Sequence, residues 1–471
     1  MQLRRTSAAL ALGLSAALTT TLAGPAAAAT SEDLGLSTPR EDSYYPAYGD
    51  PGVDTLHYGL DLDWNRGKRL LRGVADIRLR ATGTADHVQL DLNRTMTVTA
   101  VSVDGVPALF SHPGRHLVID SPVVADQRYD VRVTYRGTPR PVPAPTTRGD
   151  FSDVGMRVAR DGQLWTMQEP FGALTWYPVN DQPSDKALYD ITVSAPRDWV
   201  GVSNGTLVSR TRTERRTTTS WQLQHPTASY LTTLAVGPYA HRRDTGPHGL
   251  PLHFWLPRGE VARYMKGLQH VGADLRWLEA RLGRYPFESA GAVVVPAESA
   301  METQTLVTFG SRSWGDALSG RETMVHELAH QWYGDTVTPS DWRDLWMNEG
   351  MAMYLEAQWA SQKTSMRWRD WISYFKWSNT YDRREQGGPG AYDRGDFATS
   401  CVYTCTALMY DKLRLKLGDE TFWRVVRRWP QQHPDSSSNR QQFVSFVEDQ
   451  TGRELSGFFR DWLNSRTWPP A

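Results

Sequence analysis

Residues 325–334 read VHELAHQWYG, which places two histidines four positions apart and a glutamate directly after the first. On a helix, side chains four positions apart lie on one face, so His326 and His330 can bind one Zn²⁺ at about 2.0–2.1 Å each. Glu327 lies one step round the helix, where its carboxylate can reach a water molecule beside the metal rather than the metal itself. The stretch therefore predicts a zinc-binding helix, although a pattern this short also arises by chance.

The ends of this helix are indicated by its flanking residues. Ser319 is followed three positions later by Glu322, which is the spacing of a capping box at a helix N-terminus. Gly334 is a residue type that often follows the last helical turn. We therefore expect one helix over residues 320–333.

A catalytic zinc site needs a third protein ligand and one open position. A metzincin would have a glycine three positions after His330 and a histidine three beyond that, but Tyr333 and Thr336 stand there. The other arrangement uses a glutamate on a following helix, and DLWMNEG provides Glu349. Glu356 lies two turns later on the same face, where it can orient a ligand histidine or be a solvated acid.

The first half of the chain has the pattern of β-strands. Apolar and polar residues alternate over residues 56–239, as in half-buried strands. Asp104-Gly105 is typical of a type I′ hairpin turn. The proline-rich segment 137–150 is predicted to be a stiff surface loop, because strand patterns resume after it. We expect an all-β antiparallel domain over residues 45–244.

The second half has helical periodicity from residue 260 onward, interrupted by the short apolar run AGAVVVP, which predicts a buried strand. The predicted fold class is therefore multidomain α and β, in which the β domain is followed by an α-rich domain over residues 245–471.

The charge composition excludes some partners. The chain has 52 Lys and Arg against 52 Asp and Glu, so there is no electrostatic case for binding nucleic acid or an anionic membrane. No segment after the N-terminus has the roughly 18 consecutive apolar residues of a membrane span.

Residues 1–29 have the features of a secretory signal peptide. Arg4 and Arg5 precede an apolar stretch, and the alanines up to Ala29 offer a cleavage site. A short membrane anchor is the alternative, which the brief, threonine-interrupted apolar stretch disfavours. No cysteine lies near the cleavage site, so we expect a secreted protein without a lipid anchor.

The chain has two cysteines, Cys401 and Cys405. On a helix their Cβ atoms would be about 5–6 Å apart, against about 3.5–4.5 Å in a disulfide. This spacing favours free thiols that act as small packing residues.

The pair of segments HELAHQWYGD and DLWMNEG resembles the zinc helices of the aminopeptidase N family of gluzincin metallopeptidases, which includes the leukotriene hydrolases. Further similar segments are MQEPFGALTWYPVNDQPSDKALYDITV, LGRYPFESAGAVVVPAESAMET and VYTCTALMYDKLRLKLGDETF. The resemblance runs from about residue 50 to the end. The chain departs from the family pattern at Met167, Ser299 and Thr303, where the family usually has Gln, Gly and Asn.

The resemblance implies a thermolysin-like catalytic domain with one Zn²⁺ per chain, held by His326, His330 and Glu349. It implies that Glu327 is the general base for a water activated by zinc, and that Tyr403 donates a hydrogen bond to the oxyanion.

The resemblance also implies the substrate. Glu302 and Glu169 would bind the free α-ammonium group of a peptide, and Ala300 and Met301 would contact its backbone. Tyr410 could replace Tyr403 by position, but the alignment of the helix favours Tyr403.

The expected protein is a secreted zinc aminopeptidase of minimal two-domain form that acts on peptides with a free N-terminus. An endopeptidase and an epoxide hydrolase on the same zinc scaffold are alternatives. A non-catalytic binding protein is a further alternative, disfavoured because no zinc ligand has been lost.

Overall fold

The structure is a computed structural model and describes residues 34–469. The predicted signal peptide, residues 1–29, lies outside the described residues. Within residues 34–469, no helix combines the length and the apolar character needed to cross a membrane.

The first half consists of strands of 2 to 13 residues. They are β1 Val53–Asn65, β2 Leu70–Ala81, β3 Val88–Asp91, β4 Met96–Val103, β5 Val106–Pro107, β6 Leu109–Ser111, β7 His116–Asp120, β8 Arg128–Gly137, β9 Val142–Pro143, β10 Asp153–Val158, β11 Leu164–Met167, β12 Lys186–Pro196, β13 Val200–Ser203, β14 Thr206–Arg212, β15 Arg216–Ala228 and β16 Leu234–Gly237.

These strands form three sheets. The largest has the order β14-β15-β12-β1-β2-β8-β4-β5, the second has the order β13-β16-β11-β10-β9, and the third is β3-β7-β6. The pairing is antiparallel as predicted, except that β1 and β12 are parallel. Parallel strands need a long connection between them, and here the connection from β1 to β12 contains the strands β2 to β11.

Local details of the β half agree with the sequence pattern. Asp104 and Gly105 have φ values of 50° and 78°, as a type I′ turn requires, and they connect β4 to β5. In the proline-rich segment 137–150, only Gly137, the last residue of β8, and the two residues of β9 enter a sheet.

The second half contains the strands β17 Tyr239–Thr245, β18 Pro251–Pro257, β19 Ala290–Val295, β20 Ala300–Met301, β21 Val307–Gly310, β22 Val337–Pro339 and β23 Ser436–Ser438. The first five form one sheet, with the order β17-β18-β19-β21-β20, and β22 and β23 form a parallel pair. All six residues of β19 are buried, as AGAVVVP predicts. The proposed domain boundary after Asp244 falls inside β17, and the division into domains stays a prediction.

This half also contains helices. They are α1 Val261–Leu268, α2 Val271–Leu282, α3 Ala317–His330, α4 Trp346–Lys363, α5 Trp368–Gln386, α6 Ser400–Leu417, α7 Asp419–Gln432, α8 Arg440–Thr451 and α9 Ser456–Asn464. This order confirms the predicted fold class of a β-sheet domain followed by a helical domain.

Two hydrophobic cores meet at the second β-sheet. Leu164 on β11 belongs to the core of the β half, whereas Trp165 and Met167 on the same strand belong to the core of the helical half. Successive residues of a strand point to opposite faces, so β11 can serve both cores. This position brings the residues just after β11, including Glu169, against the helical half.

The predicted bounds of the zinc helix were wrong at both ends. The helix α3 begins three residues earlier, because Asp316 and not Ser319 is the N-cap. The Asp316 carboxylate accepts hydrogen bonds from the backbone N–H groups of Leu318 and Ser319, and the Ser319 hydroxyl accepts one from the Asp316 N–H. At the other end the helix stops at His330, ahead of Gly334.

The expectation of free thiols was also wrong. Cys401 and Cys405 form a disulfide within α6, with their Cα atoms 4.7 Å apart. An ideal helix rises about 6 Å over four residues. Cys401 is the second residue of α6, and helix ends deviate from ideal geometry more readily than helix interiors.

Candidate active site

Three buried side chains converge at the pairing of α3 with α4. Donor atoms of His326, His330 and Glu349 all lie within 4.8 Å of one another. The Nε2 atoms of both histidines are 3.3 Å from Oε2 of Glu349. Two imidazoles and one carboxylate are a donor set that suits a catalytic Zn²⁺, so these residues fit the metal that the sequence predicts.

The outer ring nitrogens of the histidines are also occupied. His326 Nδ1 is 2.8 Å from Oε2 of Glu356, and His330 Nδ1 donates to the backbone carbonyl of Tyr333 at 3.1 Å. Such bonds set the ring orientation and leave each Nε2 directed at the metal position. The structure thus places Glu356 where it can orient His326.

Burial and charge shift the pKa values of these groups. Burial alone would raise the pKa of Glu349, but the neighbouring His330 and His326 hold it well below its usual range. Burial raises the pKa of Glu327 to about 8, although both histidines oppose the shift. Glu327 can therefore carry a proton near neutral pH, as a group that accepts and returns one must.

A pair of carboxylates, Glu169 and Glu302, lines the cavity that contains the metal ligands. Donor atoms of Glu302, Glu327 and His330 lie within 4.8 Å of one another, and Glu169 lines the same cavity. Burial raises the pKa of both Glu169 and Glu302. One carboxylate oxygen of each is buried without a hydrogen-bond partner among the described residues. Buried hydrogen-bond acceptors without partners are rare, so this pair indicates a binding site for a cation or for a hydrogen-bond donor of a ligand.

The segment before Glu302 is an edge strand. In β20, Ala300 pairs with Phe309 and Met301 pairs with Thr308 of β21, and no other strand of residues 34–469 pairs with the opposite edge of β20. Ala300 and Met301 both line the cavity. An unpaired strand edge offers backbone groups to an extended peptide.

Tyr403 rather than Tyr410 faces the metal position. The Tyr403 hydroxyl donates to Oε1 of Glu349 at 2.9 Å. Tyr410 is buried and packs against the rings of Tyr354 and Phe443.

The bond between Tyr403 and Glu349 depends on close helix packing. A Cβ atom on Gly350 would lie 2.1 Å from the Thr406 side chain, so glycine permits the approach of α4 to α6.

Sequence reasoning missed Arg148. Its Nη1 donates to the Tyr403 hydroxyl oxygen at 3.0 Å, and its Nε and Nη2 bind the Asp150 carboxylate at 3.0 and 2.6 Å. The guanidinium also lies 4.5 Å from the centre of the Phe151 ring. Arg148 lies near the end of the proline-rich segment 137–150, which was interpreted as a surface loop. The predicted stiffness of this loop was the one signal that it could hold a functional residue in place.

The cavity that contains these groups has a volume of about 440 Å³. Glu169 and Glu302 line it beside β20, and Tyr374 of α5 lines it near Glu356. A larger groove of about 820 Å³ runs across the large β-sheet around His57 and Tyr189. None of the metal-binding groups found among residues 34–469 lies there.

Family models match both halves of the chain. Residues 268–462 match the peptidase family M1 domain, and residues 54–231 match the peptidase M1 N-terminal domain. The chain belongs to peptidase family M1. This confirms the resemblance and the assignment as a metallopeptidase, and it makes Zn²⁺ the metal that His326, His330 and Glu349 would bind.

Known relatives of this M1 chain are distant in sequence. Aminopeptidase N of Streptomyces lividans is 27% identical over 336 residues, which cover 64% of this chain and 38% of the relative. Aminopeptidase M1 of Arabidopsis thaliana is 26% identical over 64% of this chain and 37% of the relative. The M1 chain thus spans less than half the length of these relatives.

The structural match covers nearly the whole of a solved M1 protein. An M1 zinc metallopeptidase mutant from Deinococcus radiodurans, bound to a Tyr-Ser-Ala substrate, superposes with a TM-score of 0.81 at 26% identity. The match covers 91% of this chain and 98% of that one. A two-domain M1 zinc metallopeptidase bound to L-tryptophan matches with the same score and coverage.

Proposed function

We propose that this M1 protein is a secreted zinc aminopeptidase that hydrolyses the first peptide bond of peptides with a free N-terminus. The observation that carries the proposal is the buried pair Glu169 and Glu302, whose unpartnered oxygens lie in the same cavity as the metal ligands. Export rests on residues 1–29, which have the features of a signal peptide.

The carboxylate pair selects the substrate by charge. A peptide α-ammonium group has a pKa of about 7.7–8.0 and is largely protonated at neutral pH. Two carboxylates that burial makes costly to ionise are stabilised by such a cation. Binding of the ammonium group at Glu169 and Glu302 positions the first carbonyl near His330, because Glu302 lies beside that ligand.

The chain's own residues perform the proton transfers. When bound by His326, His330 and Glu349, Zn²⁺ supplies Lewis acidity that activates water and polarises a carbonyl. Glu327 accepts the proton of the attacking water and returns it to the leaving amine. Tyr403 donates a hydrogen bond to the oxygen that becomes negative, a contribution of about 3–4 kcal/mol for such donors.

Relatives support the peptide substrate. Two relatives bear the name aminopeptidase, and the Deinococcus radiodurans protein binds a tripeptide substrate.

Paired substrates test the proposal. We expect the protein to hydrolyse aminoacyl-coumarin amides and peptides with a free N-terminus. The activity should disappear with a chelator and return with Zn²⁺. N-acetylated versions of the same substrates should be cleaved at least about 100-fold more slowly, since they lack the cation. Equal cleavage of free and acetylated peptides would show an endopeptidase instead.

A further inference from the structure

Helix α5 carries a row of aromatic side chains, Trp371, Tyr374, Trp377 and Tyr381, which we call the aromatic stripe. The spacing of three or four residues places the four rings on one side of the helix. Ring centres of Trp371 and Tyr374, and of Tyr374 and Trp377, are 6.2 Å apart, and those of Trp377 and Tyr381 are 5.3 Å apart. These distances make one continuous aromatic surface.

Most of the stripe is exposed. Among residues 34–469, five aromatic side chains are markedly exposed, and three of them are Tyr374 at 42%, Trp377 at 54% and Tyr381 at 57%. The fourth, Trp468, lies next to the stripe because its indole N–H donates to Thr380. Apolar surface concentrated in this way marks a binding site.

The stripe is continuous with the catalytic cavity. Tyr374 and Glu356 both line the cavity. Glu356 contacts His326, whereas Glu302 is grouped with His330 on the next turn of α3. The stripe therefore begins on the His326 side of the metal position, away from the carboxylate pair.

We propose that the aromatic stripe binds the part of the peptide that follows the bond to be cut, with a preference for aromatic and large aliphatic side chains. This inference rests on the proposed aminopeptidase function. A peptide held by its N-terminus at Glu302 passes the metal position and leaves the cavity past Tyr374. The exposed rings of Trp377 and Tyr381 then lie along its path.

The dimensions define which residues of the peptide are involved. An extended chain advances about 3.3 Å per residue, so each ring-to-ring step of the stripe corresponds to about two residues. The steps from Tyr374 to Trp377 and from Trp377 to Tyr381 therefore correspond to about four residues in all. The preference should be strongest three to five residues from the peptide N-terminus.

Two hexapeptides with the same N-terminal residue test this inference. One carries phenylalanine at its fourth and fifth positions, and the other carries alanine there. For the natural protein we expect kcat/KM for the phenylalanine peptide to be about tenfold higher, chiefly through a lower KM, because aromatic contacts contribute about 0.5–1.5 kcal/mol each.

The matched variants separate the stripe from other surfaces. In the double variant W377A/Y381A the ratio of the two kcat/KM values should fall to near one. The variant W377F/Y381F, which keeps the rings, should retain most of it. F110A, which removes an exposed ring on β6, should keep the full ratio. The N-terminal residue is identical in both peptides, so general losses of activity cancel in the ratio.

Several outcomes would overturn the inference. One is a ratio near one in the natural protein, and another is an undiminished ratio in W377A/Y381A. A third is a dimer of the natural protein in sedimentation that dissociates only in W377A/Y381A, while the ratio of kcat/KM values stays unchanged. That result would make the stripe an interface between two copies of the chain. Failure of the proposed function is distinguishable, because it shows as equal cleavage of free and acetylated peptides.

Discussion

Arg148 Nη1 donates a hydrogen bond to the Tyr403 hydroxyl oxygen at 3.0 Å, and Tyr403 in turn donates to Glu349 at 2.9 Å. The Arg148 guanidinium is itself held by the Asp150 carboxylate. An arginine from the end of the proline-rich segment thus fixes the position of the tyrosine, and the β half contributes directly to the active site.

The first prediction concerns this arginine. We expect R148A to lower kcat about tenfold with little change in KM. The substitution removes a contact that positions Tyr403, and it removes no contact that binds the substrate. R148K should restore only part of kcat, since an ammonium group cannot bind Asp150 through two parallel bonds and still reach Tyr403. Steady-state kinetics on an aminoacyl-coumarin amide measure both values.

R132A is the matched control for R148A, because Arg132 forms an exposed ion pair with Asp76 on the large β-sheet. Equal losses of kcat in R148A and R132A would contradict the positioning role.

The second prediction assigns the tyrosine. Y403F should lower kcat about 10²–10³-fold, the usual cost of removing a donor to an oxyanion. Y410F should keep kcat near that of the natural protein, because Tyr410 packs among aromatic rings. The comparison uses the same coumarin substrate, and a kcat for Y403F near the natural value would remove Tyr403 from the mechanism.

The third prediction concerns zinc affinity. E356Q should bind Zn²⁺ about 10–100-fold more weakly, because a neutral amide orients His326 less strongly than the carboxylate at 2.8 Å. Competition with a chromophoric chelator measures the affinity without relying on activity. E420Q, at an exposed glutamate of α7, serves as the control. Unchanged affinity in E356Q would mean that Glu356 does not support the ligand.

The fourth prediction concerns the disulfide. Alkylation without reduction should leave the natural protein unlabelled, because Cys401 and Cys405 are bonded to each other. C401S/C405S should lower the free energy of unfolding by about 2 kcal/mol, the chain-entropy contribution expected for so short a loop. Mass spectrometry and denaturant titration provide the two measurements, and two alkyl groups on the unreduced protein would contradict the bond.

The fifth prediction concerns stability and pH. The hydrogen bond with Asp435 raises the pKa of His225 above its ordinary value, against the effect of burial. The unfolded chain has the ordinary histidine pKa of about 6.5. Because the folded pKa is higher, the pair stabilises fully below about pH 6.5, and this stability is lost as pH rises through the folded pKa.

As pH rises from about 6 to about 8, the free energy of unfolding of H225Q should therefore fall less than that of the natural protein. Urea titrations with saturating Zn²⁺ at each pH measure this difference. H87Q is the control, because His87 and Asp86 form an exposed pair whose contribution solvent screens. Parallel pH profiles for H225Q and the natural protein would contradict the prediction.

Sequence patterns that span one or two helical turns were enough to predict the zinc-binding helix. The spacing of His326 and His330 places both on one face of a helix, and this holds wherever the helix begins. The N-terminal bound failed because Ser319 and Asp316 are both good caps, and the choice between them depends on hydrogen bonds that a spacing pattern does not show.

The sequence by itself determined the order of a β half and a helical half, the zinc-binding pattern and the family, because these depend on local periodicity and on residue types at short range. Only the tertiary structure decided which distant groups share the cavity. Glu169, Arg148 and Tyr403 come from a strand end, a proline-stiffened loop and a helix that are far apart in sequence. The disulfide between Cys401 and Cys405 likewise depends on a local approach of 4.7 Å that ideal helix spacing does not predict. Periodicity reports which face a residue occupies, whereas the packing of sheets and helices decides what that face meets.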